Sequence, residues 1–396
     1  MLRHGFSGIL SIAISSAEIT CPLPALVLGC RMEPPSSSSP SLPIVRIGQG
    51  PVALTREEFE RRYREQFADP AFADAKDAVD QITRIAADAY EDHRKNISSR
   101  PAGPGFQDPS YELSTEWLEA RARIHSAQKE FEDSGRRTRM LLINASPRTD
   151  EACPGENSKS HRLAGIARTA LEAEGCEVDL LDLSLLSAEY GRRIFPCKAC
   201  VSTAMPLCHW PCSCYPNHYL GQVQDWMNEL YPRWVAAHGI MIITPVHWFQ
   251  VPSGLKLMID RLVCADGGNP DPTSTAGKEA ALAKEIELKG WDYPKHLADR
   301  VFSVIVHGDA EGAGNVRRNL HDWLTGIGLF SAGPTAMLDR YIGYFEPYAT
   351  SHEALDRDSA LQEEVRHAAL TLARATAEMR AGRRPPGYDL PAPRMK

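Results

Sequence analysis

From Arg139 onward the chain alternates short apolar runs with amphipathic stretches. Met140 to Asn144, Val178 to Leu183, Ile240 to Thr244 and Val301 to Val306 are largely apolar over five or six residues, which predicts strands buried on both faces. Between them, Ser160 to Glu174 places Leu163, Ile166, Ala170 and Leu171 on one helical face and stops at Gly175, while Leu255 to Cys264 and Asn315 to Ile327 also read as helices. Strands separated by helices imply a parallel sheet covered on both sides. Ligands of such sheets sit beyond the carboxyl ends of the strands, so the loops that begin at Ala145, Thr244 and His307 are the candidate site.

Outside this region the pattern is helical. Thr55 and Glu58 have the spacing of a capping box, and Phe59, Tyr63 and Phe67 recur every fourth residue. Phe72 to Tyr90 repeats the theme with Val79, Ile82, Ala86 and Tyr90, and Trp117, Ile124 and Phe131 mark a third helix beyond a Pro/Gly loop. These helices read as a cap or dimerisation arm with nothing arranged for chemistry. A long helix, Asp358 to Arg380, and a Pro-rich end close the chain. The first 45 residues read as a disordered or spurious extension: the apolar run Ile9 to Ile14 is too short to span a bilayer and is followed by Glu18, Pro22 and Pro24. The expected organisation is therefore an extension over 1–45, a helical segment over 46–136, the α/β domain over 137–340, and a C-terminal helix and tail over 341–396.

Composition narrows the function. With 44 Lys plus Arg against 51 Asp plus Glu and 43% hydrophobic residues in 396, the chain is an ordinary globular protein of net charge −7. It has no basic cluster to neutralise phosphates, which argues against nucleic acid as a partner. A small molecule is the expected partner, and no membrane.

The first strand runs into Asn144-Ala-Ser-Pro-Arg148, and Asn157-Ser-Lys-Ser160 follows at a helix start. Small hydroxyl residues before a helix N-terminus suit an anion, because free backbone N–H groups and the helix dipole favour negative charge; N-capping by Ser158 or Ser160 explains the same residues. There is no GxxxxGK[ST] element, and Gly308, Gly312 and Gly314 do not form GxGxxG, so neither nucleotide fingerprint is present. The third strand ends in Thr244-Pro-Val-His-Trp-Phe249, followed by Ser253-Gly-Leu-Lys256 and Asp260-Arg261.

Taken together, the SPR loop, the NSKS helix start and the TPVHWF…SGLK…DR segment resemble the flavodoxin-like NAD(P)H-dependent FMN reductase family and, more loosely, the iron-sulfur flavoproteins. The likeness covers Arg139 to Gly333. It implies a flavodoxin-like, doubly wound, parallel five-stranded sheet, here with added N-terminal and C-terminal helices. It also implies that Ser146, Arg148, Ser158 and Ser160 hold an FMN phosphate. Pro245, Val246, His247, Trp248 and Phe249 would line the isoalloxazine ring, and His307, Gly308 and Asp309 would flank its other edge. The insertion Thr149 to Glu156 leaves either Ser158 or Ser160 as the main phosphate contact. The implied activity is an FMN-dependent oxidoreductase that takes electrons from NAD(P)H as co-substrate and passes them to a quinone, a flavin or another small acceptor, in a homodimer or homotetramer. The alternative is an electron-transfer protein shuttling electrons between protein partners.

Five cysteines crowd residues 197 to 214, as Cys-x2-Cys-x7-Cys-x3-Cys-x-Cys. Clustered thiols in a chain of cytoplasmic character point to metal or redox chemistry more than to disulfides. Cys197, Cys200, Cys208 and Cys212 are the candidate ligands, Cys214 standing in for Cys212. A 4Fe-4S cluster, a zinc site using His209 or His218 as substitutes, and packed thiols without metal all remain open, because spacing alone does not separate soft-ligand metals.

Overall fold

The computed structural model describes residues 54–91, 113, 115–213, 225–277, 279–308 and 311–384. The N-terminal extension, Cys214, His218 and Asp309 lie outside the described residues. The described residues belong to one unit, Val52–Lys396.

Six strands form one sheet: β1 (Arg139–Asn144), β2 (Glu177–Asp182), β3 (Gly239–Pro245), β4 (Val301–Gly308), β5 (Phe330–Ser331) and β6 (Met337–Tyr341). Every pairing is parallel, in the order β2-β1-β3-β4, and the fifth position is shared. β5 pairs with Val301 and Phe302 at the start of β4, and β6 takes over from Val304 to Gly308. This is the doubly wound 2-1-3-4-5 arrangement of flavodoxin-like folds, whose ligand crevice lies at the β1/β3 switch point.

Alternation along each strand builds two cores. Leu141, Ile143, Ile240, Ile242, Phe302, Val304 and Val306 face one layer, and Met140, Leu142, Met241, Ile243, Val301 and Ile305 face the other. The helices are α1 (Arg56–Arg64), α2 (Lys76–Glu91), α3 (Thr115–Glu132), α4 (Lys159–Ala173), α5 (Leu185–Ala188), α6 (Met227–Ala236), α7 (Ser253–Arg261), α8 (Ala280–Leu288), α9 (Ala313–Gly326), α10 (Tyr348–Arg357) and α11 (Ser359–Arg380). Leu163 and Leu171 of α4 and Leu361, Val365, Ala369 and Leu372 of α11 cover the second face, so the C-terminal helix is a structural layer of the α/β unit. On the first face, Ile124 of α3 packs with Leu230 and Trp234 of α6, and Trp117 Nε1 donates to the Pro211 carbonyl at 2.9 Å. The third upstream helix is thus part of the core and not a free arm. α1 and α2 satisfy their aromatic stripes against each other: Phe59 stacks on Tyr90 at 4.5 Å and continues through Tyr63, Phe67 and Phe72. Thr55 caps α1 by accepting from the Glu58 N–H at 3.3 Å, as its spacing predicts. No described helix is long and apolar enough to cross a membrane.

Candidate functional site

The carboxyl ends of β1, β3 and β4 open onto a cleft of about 180 Å³. From the loop after β1 come Ser146 and Arg148; from the start of α4, Ser158, Lys159 and Ser160; from the end of β3, Pro245, Val246 and His247; from the end of β4, His307 and Gly308. Ile342, after β6, and Tyr348, the first residue of α10, complete the lining.

The loop after β1 is held by its own side chains. Asn144 Nδ2 donates to Asp182 at 2.9 Å, leaving Asn144 Oδ1 to accept from the Ser146 N–H at 3.3 Å, and Ser146 Oγ accepts from the Arg148 N–H at 3.3 Å. Ser158 is the N-cap of α4: its Oγ accepts from the His161 N–H at 3.1 Å, and its hydroxyl proton remains a donor toward an anion. Ser160 takes a different role, with Oγ and His307 Nε2 at 2.7 Å in full burial. Burial, with Lys159 and His247 nearby, pushes the His307 pKa down to about 3, so its ring is neutral at physiological pH. A neutral imidazole bound to Ser160 positions that hydroxyl and does not serve as a cationic acid.

Two cations stand over the cleft. Lys159 is 5% exposed, donates through Nζ to the Ile342 carbonyl at 2.9 Å and lies 5.1 Å from the Tyr348 ring. The Arg148 guanidinium lies 4.3 Å from the same ring and donates to the Cys153 carbonyl, while its Nε is buried with no hydrogen-bond partner. An orphaned guanidinium donor beside a buried ammonium, three hydroxyls and a helix N-terminus suits a phosphate dianion. This donor set fits the phosphate of FMN.

The aromatic pair departs from the expected ring wall. Trp248 is 95% exposed, Phe249 is 56% exposed, and both stand at the rim outside the cleft lining. The reason is a tight turn: His247 and Gln250 exchange backbone hydrogen bonds at 2.8 and 2.9 Å, forcing Trp248 to φ 47° and Phe249 to φ 65°. Turns of this shape ordinarily carry Asn-Gly. Two bulky residues in left-handed backbone store strain, and such outliers cluster at functional sites. Gly312, at φ 106°, backs the turn; a Cβ there would lie 3.0 Å from Phe249 Cα.

Cys197, Cys200, Cys208 and Cys212 converge on a separate, small cavity of about 10 Å³, joined by Cys264 just beyond α7. Arg261 lines it too, buried in an ion pair with Asp225 at 2.5 Å. Burial raises the pKa of the Cys197 thiol. His209 Nδ1 lies 2.5 Å from Ser213 Oγ and its Nε2 3.0 Å from Thr275 Oγ1. Among the described residues no group of three or more His, Cys, Asp or Glu is placed to hold a metal ion.

The strand order and the cation-lined cleft at the switch point define a flavodoxin-like α/β protein with a mononucleotide-type site. The chain belongs to the NADPH-dependent FMN reductase family, whose model matches residues 138–342. It is similar to the iron-sulfur flavoprotein of Methanosarcina thermophila, at 28% identity over 121 residues, 31% of this chain and 50% of that relative. The chain thus spans about half the length of the curated relative it matches. Among solved structures it is similar to RosB with a bound 8-demethyl-8-formylriboflavin-5'-phosphate intermediate, at 15% identity and TM-score 0.42, covering 62% of this chain and 81% of that one. A flavone reductase matches at 16% identity and TM-score 0.37, over 63% of this chain and 66% of the other.

Reading the loops in sequence missed Lys159, Ile342 and Tyr348. Lys159 sits inside the NSKS element, where only the hydroxyls drew notice; Ile342 and Tyr348 reach the cleft from beyond the last strand, and no local pattern marks them.

Proposed function

We propose that this chain is a flavin oxidoreductase that holds FMN in the β1/β3/β4 cleft and moves electrons from NAD(P)H to a small acceptor such as a quinone or a free flavin. The observation that carries the proposal is the buried donor set at one end of the cleft: Arg148 with its orphaned Nε, Lys159, and the hydroxyls of Ser146, Ser158 and Ser160. FMN, when bound, supplies a ring that takes up two electrons from a pyridine nucleotide and releases them to an acceptor. The chain's own residues bind and orient. Arg148 and Lys159 neutralise the phosphate, His307 fixes Ser160, and Pro245, Val246, His247 and Gly308 offer an apolar and backbone surface on which the ring rests. Trp248 and Phe249 at the rim present aromatic surface to whatever planar molecule approaches from solvent. No nucleophile is required, and none of the cleft residues is arranged as a catalytic triad. The thiol-rich composition suits a reducing compartment, so we place the enzyme in the cytoplasm, as a homodimer or homotetramer.

The test is consumption of NAD(P)H by FMN-loaded protein with an artificial quinone acceptor; turnover that needs both added FMN and the intact cleft supports the proposal, and flavin-independent or absent turnover with either nucleotide sinks it. A second reading, electron transfer between protein partners through a cysteine-held metal, draws on the convergence of four cysteines and Cys264 on one cavity. Iron, zinc and acid-labile sulfide measured on anaerobically purified protein decide it, since stoichiometric metal supports the second reading and metal-free, fully titratable thiols remove it.

A further inference from the structure

The stretch that matches the family ends at residue 342, yet the cleft does not. α10, which begins at Tyr348, lies beyond that stretch and supplies a lining residue. Tyr348 is the first residue of α10 and Lys159 the first residue of α4, and their side chains meet at the cleft, the Lys159 Nζ 5.1 Å from the Tyr348 ring. Between them a single aromatic ring carries two cations, the Arg148 guanidinium at 4.3 Å and the Lys159 ammonium at 5.1 Å. His352, one turn further along α10, is wholly buried and stands edge-on to the Tyr348 ring at 4.9 Å, with neither ring nitrogen in a hydrogen bond of normal geometry.

The helix is fastened in place and is no loose flap. Arg162 of α4 pairs with Asp356 of α10 and with Glu156 at the end of the phosphate-loop insertion. Leu355 of α10 packs into the same core as Leu163 of α4, and Tyr344 donates to Asp358 at 2.8 Å, tying the approach to α10 to the start of α11. The lengthened loop, α4 and α10 therefore form one unit around the end of the cleft.

We infer that α10 is an end wall: Tyr348 holds Arg148 and Lys159 over a terminal phosphate and blocks the path beyond it, so that the site accepts a flavin ending in a phosphate monoester and rejects one whose phosphate continues into a second nucleotide. This deepens the flavin reading and rests on it. Two cations and the N-terminus of α4 match the second charge of a monoester, which a diphosphate diester lacks on the phosphate nearest the ring. Holding two long side chains in advance removes an ordering cost that binding would otherwise carry. Tyr348 is a positioning residue in this account, and Lys159 is a ligand-binding residue.

The test is titration of the full chain with FMN, FAD and riboflavin, followed by flavin fluorescence quenching, in the wild type, Tyr348→Ala, Tyr348→Phe and Lys159→Met, with circular dichroism as the check on folding. The wild type should bind FMN at least ~30-fold more tightly than FAD, and Tyr348→Ala should weaken FMN roughly 10-fold and narrow that preference to under about 3-fold, the scale of one cation–π pair lost together with the wall. Tyr348→Phe keeps the ring and should restore the wild-type ratio. Lys159→Met should weaken FMN by roughly 10-fold and leave riboflavin unchanged, since only FMN carries the charge. A Tyr348→Ala protein that binds flavin with the wild-type FMN/FAD ratio overturns the end wall and leaves the flavin reading standing. A wild type that binds none of the three flavins overturns both.

Discussion

The two ends of the cleft are built on opposite principles. At the end lined by Arg148 and Lys159, polar groups are buried and almost all paired: Ser158 caps α4, Ser160 meets His307 at 2.7 Å, and Lys159 donates to Ile342 at 2.9 Å. At the rim, Trp248 and Phe249 are exposed and stand on left-handed backbone. One end spends hydrogen bonds to hold donors ready; the other spends conformational strain to hold apolar rings in water. Under the proposed function, the end that would anchor a charged phosphate is rigid and enclosed, whereas the face where electrons would leave stays open to exchanging partners.

The comparison breaks most visibly at Arg148. Arg148→Ala removes a charge-assisted donor and should weaken FMN binding by about 1.5 to 3 kcal/mol, with the fold intact. Equilibrium dialysis against FMN measures this, and an unchanged affinity would remove Arg148 from the phosphate end.

Acid should act next on two buried histidines, His307 at the cleft and His238 at the opposite, amino end of the sheet, just before β3. His307 is held neutral with a pKa of about 3, and His238, buried beside Arg380 and Arg300, with one of about 4. In the unfolded chain both take up protons near pH 6.5, so the unfolded state binds more protons between those values and stability falls as pH drops below about 6.5. Each contributes up to about 1.4 kcal/mol per pH unit over that window. Urea unfolding midpoints at pH 7, 6 and 5 should decline, and His307→Gln should flatten the decline; a midpoint that rises toward pH 5 contradicts the neutral, Ser160-bound His307.

The smallest effect sharpens the rim. Phe249→Gly relieves one left-handed bulky residue and should stabilise the fold by about 1 kcal/mol. The same substitution should slow turnover with a planar acceptor while leaving FMN affinity within twofold. A lower melting temperature for Phe249→Gly would show that the turn is held by packing against Gly312 and not strained.

Much of this was legible in the sequence for one physical reason. Apolar runs buried on both faces announce parallel strands, and the crevice of a parallel sheet lies at their carboxyl ends, so the residues just after β1, β3 and β4 were bound to meet: Ser146, Arg148, Pro245, Val246, His247, His307 and Gly308 share the cleft. What was hidden depends on tertiary contact. Tyr348 arrives from a helix about 200 residues away from Arg148, through packing that no periodicity records. Trp248 and Phe249 read as a ring wall because their turn has none of the Asn or Gly that signals one. α3 and α11 look like appendages in sequence because each is a single amphipathic helix, and only the two-faced sheet shows where their apolar sides go.

The most direct measurement is the flavin content of the purified full-length chain after reconstitution with FMN, read by absorption near the flavin band and by release on denaturation. The account predicts about one FMN per chain in the wild type, with Arg148→Ala and Lys159→Met each retaining much less under the same dialysis. A wild type that retains no FMN at micromolar concentration, or one whose FMN is held equally well without Arg148 and Lys159, contradicts it.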